Sequence, residues 1–385
     1  MSGLDYGAEV RELFLLEPGI AYLNHGAFGA TPRAVMAAAE AWRRRLEAEP
    51  TRFMESERAP ALKQARAEMA GFVLAAPDDL VLVENATAGC NAVLRSLMLK
   101  PGAEILALDH GYRAVLKLLR HVAGLSGAKL IEVALPFPFE APEAIVESVL
   151  AKITERTQLV VLDLITSPSA TILPVAPIIE AAKAAGARVL VDAAHAPGHI
   201  AFDAPGLGAD WVTGNAHKWL FAPKGTAFLW AAPAAQEGIH PTIISHGYGQ
   251  GFAEEFAWTG TRDPCNWLAL PAAIDFYRRM GDRAIRQRNR TLATEAAAML
   301  EKELGLLPAA PPGMRGAMAS LALPVADPAG SRTAEALHDR LLRRHRIEVP
   351  VFPFANRLWL RLSAQIYNEI ADYDRLATAL KEELG

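Results

Sequence analysis

An aspartate and a lysine stand where they could meet at one edge of a β-sheet. Asp192 closes the apolar run 188–191, and Lys218 comes shortly after a second apolar run, 210–213. Short apolar runs that end abruptly in polar residues are typical of buried strands reaching their functional ends. If the two runs are neighbouring parallel strands, their carboxyl ends share the edge at which open α/β sheets bind ligands. We therefore expect a carboxylate and an amine in one site.

This pair of side chains matches the needs of pyridoxal 5'-phosphate chemistry. A lysine forms a Schiff base with the cofactor aldehyde, and an acid keeps the pyridine nitrogen protonated. The segments DAAHAPG (192–198), GNAHKW (214–219) and APKG (222–225) resemble the class V aminotransferase family, and within it the isopenicillin N epimerase-like members. The resemblance implies an α/β chain of fold type I, with a mainly parallel seven-stranded sheet sandwiched by helices and a smaller α+β domain. It also implies that Lys218 and Asp192 are the catalytic pair.

A phosphate site is predicted directly after the short predicted strand 81–84. The small residues Ala86, Thr87 and Ala88 begin a helix there. Unpaired amides at a helix start, together with the Thr87 hydroxyl, would hold a phosphate. The turn could also be an ordinary N-cap; next to the lysine motif, we favour phosphate binding.

Further cofactor contacts are implied by position in the resembled family. Tyr112 follows a predicted strand and should stack on the cofactor ring. Ser167 would contact the phenolic oxygen of the cofactor or the substrate, although a structural ST-turn explains it equally well. His195 lies where family members carry a histidine or glutamine close to that oxygen, and Asn215 and His217 look like phosphate ligands or positioners.

Substrate and partner contacts are implied by three other segments. In WLRLSAQIYN (359–368), Arg361 is predicted to hold the α-carboxylate of an amino-acid-like substrate with two hydrogen bonds, with Arg357 in reserve. The segment YLNHGAFG (22–29) makes Asn24 and His25 candidates for substrate contacts, unless they only satisfy loop backbone. Thr261, in a Gly-Thr pair that reaches the partner's cofactor phosphate in the family, predicts a homodimer with shared active sites.

Composition narrows the class of protein further. The formal charge is −4 and the pI about 6.2, without the basic runs of a nucleic-acid surface. No apolar run approaches the roughly 18 residues of a membrane span, so we expect no membrane partner and a cytoplasmic location. The two cysteines exclude a disulfide framework. No metal is expected, because a proline and a glycine interrupt the spacing of His195 and His199.

Strands that alternate with helices predict a doubly wound sheet in a large domain of residues 31–280. The segments 1–30 and 281–385 are assigned to the small α+β domain. A long helix is predicted over residues 267–303, and residues 226–230 are predicted to form an edge strand.

The chemistry predicted is reaction at the α-carbon of an amino acid, of the epimerase or racemase type. A lyase that cleaves carbon from sulfur, or an aminotransferase, is the alternative. A persulfide-forming cysteine desulfurase is less favoured, because Cys90 and Cys265 do not suit its nucleophile. A nicotinamide dehydrogenase and a nucleophile-elbow hydrolase are disfavoured because the chain lacks their motifs.

Overall fold

A computed structural model describes residues 6–325 and 331–384 of the protein. The strands are β1 (Ala21–Tyr22), β2 (Leu80–Val83), β3 (Glu104–Leu108), β4 (Lys129–Val133), β5 (Thr157–Asp163), β6 (Arg188–Asp192), β7 (Trp211–Asn215), β8 (Ala227–Ala231), β9 (Leu307–Pro308), β10 (Met318–Ala322), β11 (Ile347–Glu348), β12 (Val351–Phe354) and β13 (Arg357–Ser363). The helices are α1 (Ala8–Arg11), α2 (Arg33–Ala48), α3 (Pro50–Arg52), α4 (Arg58–Phe72), α5 (Ala86–Ser96), α6 (Arg113–Ser126), α7 (Pro142–Leu150), α8 (Val175–Ala184), α9 (Phe252–Ala257), α10 (Cys265–Leu268), α11 (Leu270–Met280), α12 (Asp282–Leu304), α13 (Ser331–His345) and α14 (Ile370–Leu384).

A seven-stranded sheet forms the centre of the molecule, in the order β2-β8-β7-β6-β5-β3-β4. The strands from β7 to β4 are mutually parallel, and β8 runs antiparallel to both of its neighbours. Val189 and Val191 point into one apolar core, whereas Leu190 points into the other. Helices cover both faces, which explains why the strands read as continuous apolar runs. The prediction of a mainly parallel seven-stranded α/β sheet is confirmed.

Two element predictions are wrong. The segment 226–230 is not at an edge, because β2 pairs with the outer side of β8. The helix over 267–303 is broken into α10, α11 and α12. Pro271 lies in the first turn of α11, and Gly281 separates α11 from α12 with a φ of 91°, a conformation that glycine adopts at little cost.

A smaller antiparallel sheet, in the order β12-β13-β10-β9, lies in the carboxyl-terminal part. The helices α12 and α14 pack with it around a third apolar core. The amino-terminal strand β1 pairs in parallel with β11, which attaches the amino-terminal segment to the carboxyl-terminal part of the chain. The division at residues 30/31 and 280/281 stays a prediction. Within the described ranges, no helix is both long and apolar enough to cross a membrane.

Candidate active site

Lys218 and Asp192 line one cavity, of about 540 Å³, which we call the Lys218 cavity. Strand β6 ends at Asp192, and β7 ends at Asn215, three residues before Lys218. Because Asp192 pairs with Thr213 across the parallel strands, the two chain segments leave the sheet side by side. As expected, the Asp192 carboxylate and the Lys218 amine line the same site. Of the other residues assigned to the site by sequence, the cavity is also lined by Ala86, Thr87, Tyr112, Ser167, His195, Asn215, His217 and Arg361.

The pKa of Lys218 is lowered to about 7. Burial of the ammonium is the main cause, and the positive charge of Arg361 adds to it. The carboxyls of Asp192 and Asp163 act in the opposite direction. A large fraction of Lys218 is therefore a neutral amine near pH 7, the form that attacks an aldehyde and accepts a proton.

His195 contacts Lys218 directly, with Nε2 at 3.1 Å from Nζ. The indole N–H of Trp219 donates to Nδ1 of His195 at 3.4 Å. Burial, together with the nearby Lys218 charge, holds the pKa of His195 well below its ordinary value, so the ring is neutral. With Nδ1 accepting from Trp219, the single ring proton belongs on Nε2, where it faces the cavity.

A second carboxyl, that of Asp163, lies beside Asp192 and was not identified from the sequence. The Oδ1 atom of Asp192 accepts a hydrogen bond from the amide of Ala194 at 2.9 Å. Asp163, the last residue of β5, is its register partner and also lines the cavity. Burial raises the pKa of both carboxyls, and the charge of Asp192 raises that of Asp163 further. Asp163 accepts from the Tyr112 amide at 3.2 Å and so anchors the residue predicted to stack on the cofactor.

The turn that begins α5 is capped by side-chain amides. Asn215 Oδ1 accepts from the Ala86 amide and Asn85 Oδ1 from the Ala88 amide, both at 2.8 Å. Two of the three amides predicted to bind phosphate thus have protein partners, and Ala88 does not line the Lys218 cavity. Thr87 does line it, with its amide and hydroxyl both available for an anion.

Arg361 is fixed against Ser167. Its Nη1 donates to the Ser167 carbonyl at 2.7 Å and to the Ser167 hydroxyl at 3.0 Å. Arg361 is 5% exposed, and its Nε is buried without a hydrogen-bond partner among the described residues. A buried guanidinium with an unpaired N–H is suited to bind a carboxylate, whose oxygens accept its hydrogen bonds. The reserve candidate Arg357 is exposed at the start of β13 and does not line the cavity.

Asn24, His25 and Thr261 do not line the Lys218 cavity of their own chain. The Asn24 amide donates to Glu348 at 2.9 Å. The His25 ring lies between the Tyr367 hydroxyl, at 2.8 Å, and the carbonyl of Lys218, at 2.9 Å. The cavity wall is formed instead by the next residues of the loop, 26–28.

Glycine at position 29 lets this loop press against the lysine segment. A β-carbon there would stand 2.4 Å from the carbonyl oxygen of Lys218 and 2.5 Å from that of His217. The His217 ring, in turn, has Nδ1 at 2.8 Å from the Thr226 carbonyl. Both contacts fix the main chain that carries Lys218.

A second lysine, Lys224, also lines the cavity, although it is an exposed residue. Its ammonium lies 3.4 Å from the Thr31 hydroxyl, and burial lowers its pKa. The APKG segment (222–225) is part of the family resemblance, but a lysine in a turn has no residue pattern that would place it in a cavity.

Comparison of the sequence with known proteins shows to which family the chain is similar. A sequence model of the family described as "Aminotransferase class-V" matches residues 21–376. Isopenicillin N epimerase of Amycolatopsis lactamdurans is 35% identical, over 97% of this chain and 98% of that protein. Putative L-cysteine desulfhydrase 1 of Oryza sativa subsp. japonica is 32% identical, over 95% of this chain and 83% of that protein.

The fold is shared with solved structures at lower identity. An apo cysteine desulfurase from Thermococcus onnurineus NA1 superposes with a TM-score of 0.83 at 21% identity, over 100% of this chain and 99% of that chain. At this identity the similarity concerns the fold alone. The match over residues 21–376 and the 35% identity with the epimerase relative establish that the chain belongs to the class V aminotransferase family.

Proposed function

We propose that the protein is a pyridoxal 5'-phosphate enzyme that acts at the α-carbon of an amino-acid substrate, with Lys218 as the residue of covalent attachment. The observation that carries the proposal is the lowered pKa of a lysine that shares one cavity with Asp192 and Arg361. When bound, the cofactor supplies an electron sink that weakens the bonds at the α-carbon.

The residues of the cavity fit this cofactor. Asp192 is 4% exposed, and only its Oδ1 has a hydrogen-bond partner among the described residues. Its second oxygen is therefore available to a pyridinium N–H, whose positive charge would offset the burial that raises the Asp192 pKa. Tyr112 offers an aromatic face, Thr87 an amide and a hydroxyl, and His195 a ring N–H.

Each catalytic task has a residue suited to it. Arg361 holds the α-carboxylate with the donors that Ser167 leaves free. Lys218, with a pKa of about 7, removes or returns the α-proton as a general base. Asp192 keeps negative charge beside the site and so favours the electron sink.

We propose epimerisation or racemisation as the reaction, and C–S lysis as the alternative. Epimerisation requires a proton to leave one face of the α-carbon and reach the other, and a second amine of lowered pKa, Lys224, lines the same cavity. The epimerase relative supports this choice, whereas the desulfhydrase relative supports lysis. An aminotransferase remains the third possibility.

A thiol-dependent desulfurase is disfavoured by the state of both cysteines. Cys90 is buried in α5, and burial together with the Asp192 and Asp163 charges raises the pKa of its thiol far above the ordinary value. Burial also raises the pKa of Cys265 to about 12. Neither side chain lines the Lys218 cavity, so no thiolate is available to accept sulfur there.

A homodimer with shared sites is proposed as well. Thr261 is exposed and lies outside its own cavity, as a residue that serves a partner subunit should. Large apolar side chains are exposed: Phe28, which lines the Lys218 cavity, is 67% accessible, and Tyr248 is 59% accessible. Burial of such surface drives subunit association.

Proton NMR in heavy water, with cofactor-loaded protein and a panel of amino acids and cysteine conjugates, tests the reaction. Exchange of the α-proton with inversion and no new product is the result expected for an epimerase. Pyruvate, ammonia and a released sulfur fragment would establish the lyase instead. An unreactive panel with the cofactor bound would overturn the proposal, whereas exchange with neither inversion nor lysis would point to transamination and a keto-acid panel.

A further inference from the structure

A second cavity, also of about 540 Å³, adjoins the Lys218 cavity. Tyr112, Ser167 and Arg361 line both. A ligand whose carboxylate lies at Arg361 therefore borders both spaces. Since the first cavity holds the reacting groups, the second is the space open to the rest of the ligand.

One wall of the second cavity is cationic. Arg113, Lys117 and Arg120 come from α6 at steps of four and three residues, so they lie on one face of that helix. Arg120 forms an ion pair with Glu132, and Arg113 donates to the Pro353 carbonyl. Lys117 is exposed and has no acidic partner among the described residues.

Another part of the lining is largely apolar. Phe352, Pro353 and Phe354 of β12 form it. The charged lining residues are four cations, Arg361 included, and two anions, Asp109 and Glu132, so positive charge is in excess. A ligand group that suits this space has an apolar stem that packs on Phe352 and Phe354, and an anionic end within reach of the cations on α6.

We propose that the second cavity is the subsite for the substrate side chain, and that it selects long amino-acid side chains with an apolar stem and a terminal carboxylate. The inference rests on the proposed function, because the side chain is placed there only if Arg361 binds the α-carboxylate. In this proposal, the positive charge of Lys117 gives the preference for a terminal carboxylate.

Two cysteine conjugates of matched length test it: S-(2-carboxyethyl)cysteine and S-butylcysteine, with alanine as a reference that does not reach the second cavity. The kcat/KM for α-proton exchange in heavy water is measured for each with the holoenzyme. The wild type should prefer the carboxylated conjugate. Lys117→Glu should lower the ratio of carboxylated to butyl conjugate about tenfold, because an attraction becomes a repulsion. Lys117→Met should give an intermediate ratio, and alanine should be unaffected by either change.

Lys152→Glu is the matched control, because it makes the same change of net charge at an exposed position that lines neither cavity. Binding of both conjugates to Lys218→Ala protein, measured by calorimetry, reports the same preference without turnover. An unchanged ratio in Lys117→Glu, or an equal loss for alanine, would overturn the subsite while leaving the proposed function intact. Absence of exchange with every amino acid would instead remove the proposed function, and this inference with it.

Discussion

Nε2 of His195 lies 3.1 Å from the amine of Lys218, on the side of the ring opposite the Trp219 indole. Since His195 is neutral and accepts from Trp219 through Nδ1, it donates through Nε2 to a neutral Lys218 amine. Burial and the charge of Arg361 keep this amine neutral, and His195 fixes its position by donating to it.

Lys218→Ala should abolish covalent attachment of the cofactor while the fold is retained. Lys224→Ala is the matched control, since it removes the other lysine of the cavity and should leave attachment intact. Borohydride reduction followed by mass spectrometry locates the attached group, and circular dichroism checks the fold. Attachment to Lys218→Ala protein at another lysine would contradict the assignment.

The rate of cofactor attachment to the apoprotein should rise with pH through a midpoint at about 7, because the neutral amine is the nucleophile. Arg361→Gln removes a positive charge that lowers this pKa, so the midpoint should move upward. Asp192→Asn removes a negative charge that raises it, so the midpoint should move downward. Stopped-flow absorbance gives the profile. A midpoint near the ordinary lysine pKa of about 10.4 would refute a tuned amine.

Asp192→Asn should keep the attached cofactor and lose turnover by about 10²–10³-fold, because the charge that stabilises the electron sink is gone. Asp163→Asn makes the same change at the neighbouring strand end. It preserves an oxygen to accept from the Tyr112 amide, so its effect should be smaller. Steady-state kinetics with a matched cofactor load measures both. Equal losses would mean that the two carboxyls act as one unit.

Subunit mixing tests whether Thr261 acts on the partner's site. Lys218→Ala and Thr261→Asp proteins should each be inactive alone. A random equal mixture should recover about a quarter of wild-type activity, because each mixed dimer contains one intact site. The pair Lys218→Ala and Asp192→Asn is the control, since no combination of these chains restores a site. No recovery in the first mixture would place Thr261 outside the partner's site.

Much of the site could be predicted from sequence, because Lys218 and Asp192 each follow an apolar run whose end is visible in the residue pattern. Asp163 was missed because it lies inside such a run, and only the register of β5 with β6 shows its position. His25 was placed by resemblance near the substrate; its side chain is engaged by Tyr367, from a segment over 300 residues away. Long-range contacts of this kind have no local signature. For the same reason, the antiparallel β2 outside β8 was not foreseen.

The buried His25 ring has a consequence for motion. Burial lowers its pKa to about 3, so it stays neutral and spans from the Tyr367 hydroxyl to the main-chain oxygen of Lys218. Tyr367 belongs to the segment between β13 and α14, whereas Lys218 follows a strand of the central sheet. The imidazole thus links the segment between β13 and α14 to the main chain of Lys218. A displacement of the segment between β13 and α14 must either break one of these hydrogen bonds or move the lysine backbone with it, so the position of the reactive amine is coupled to that segment.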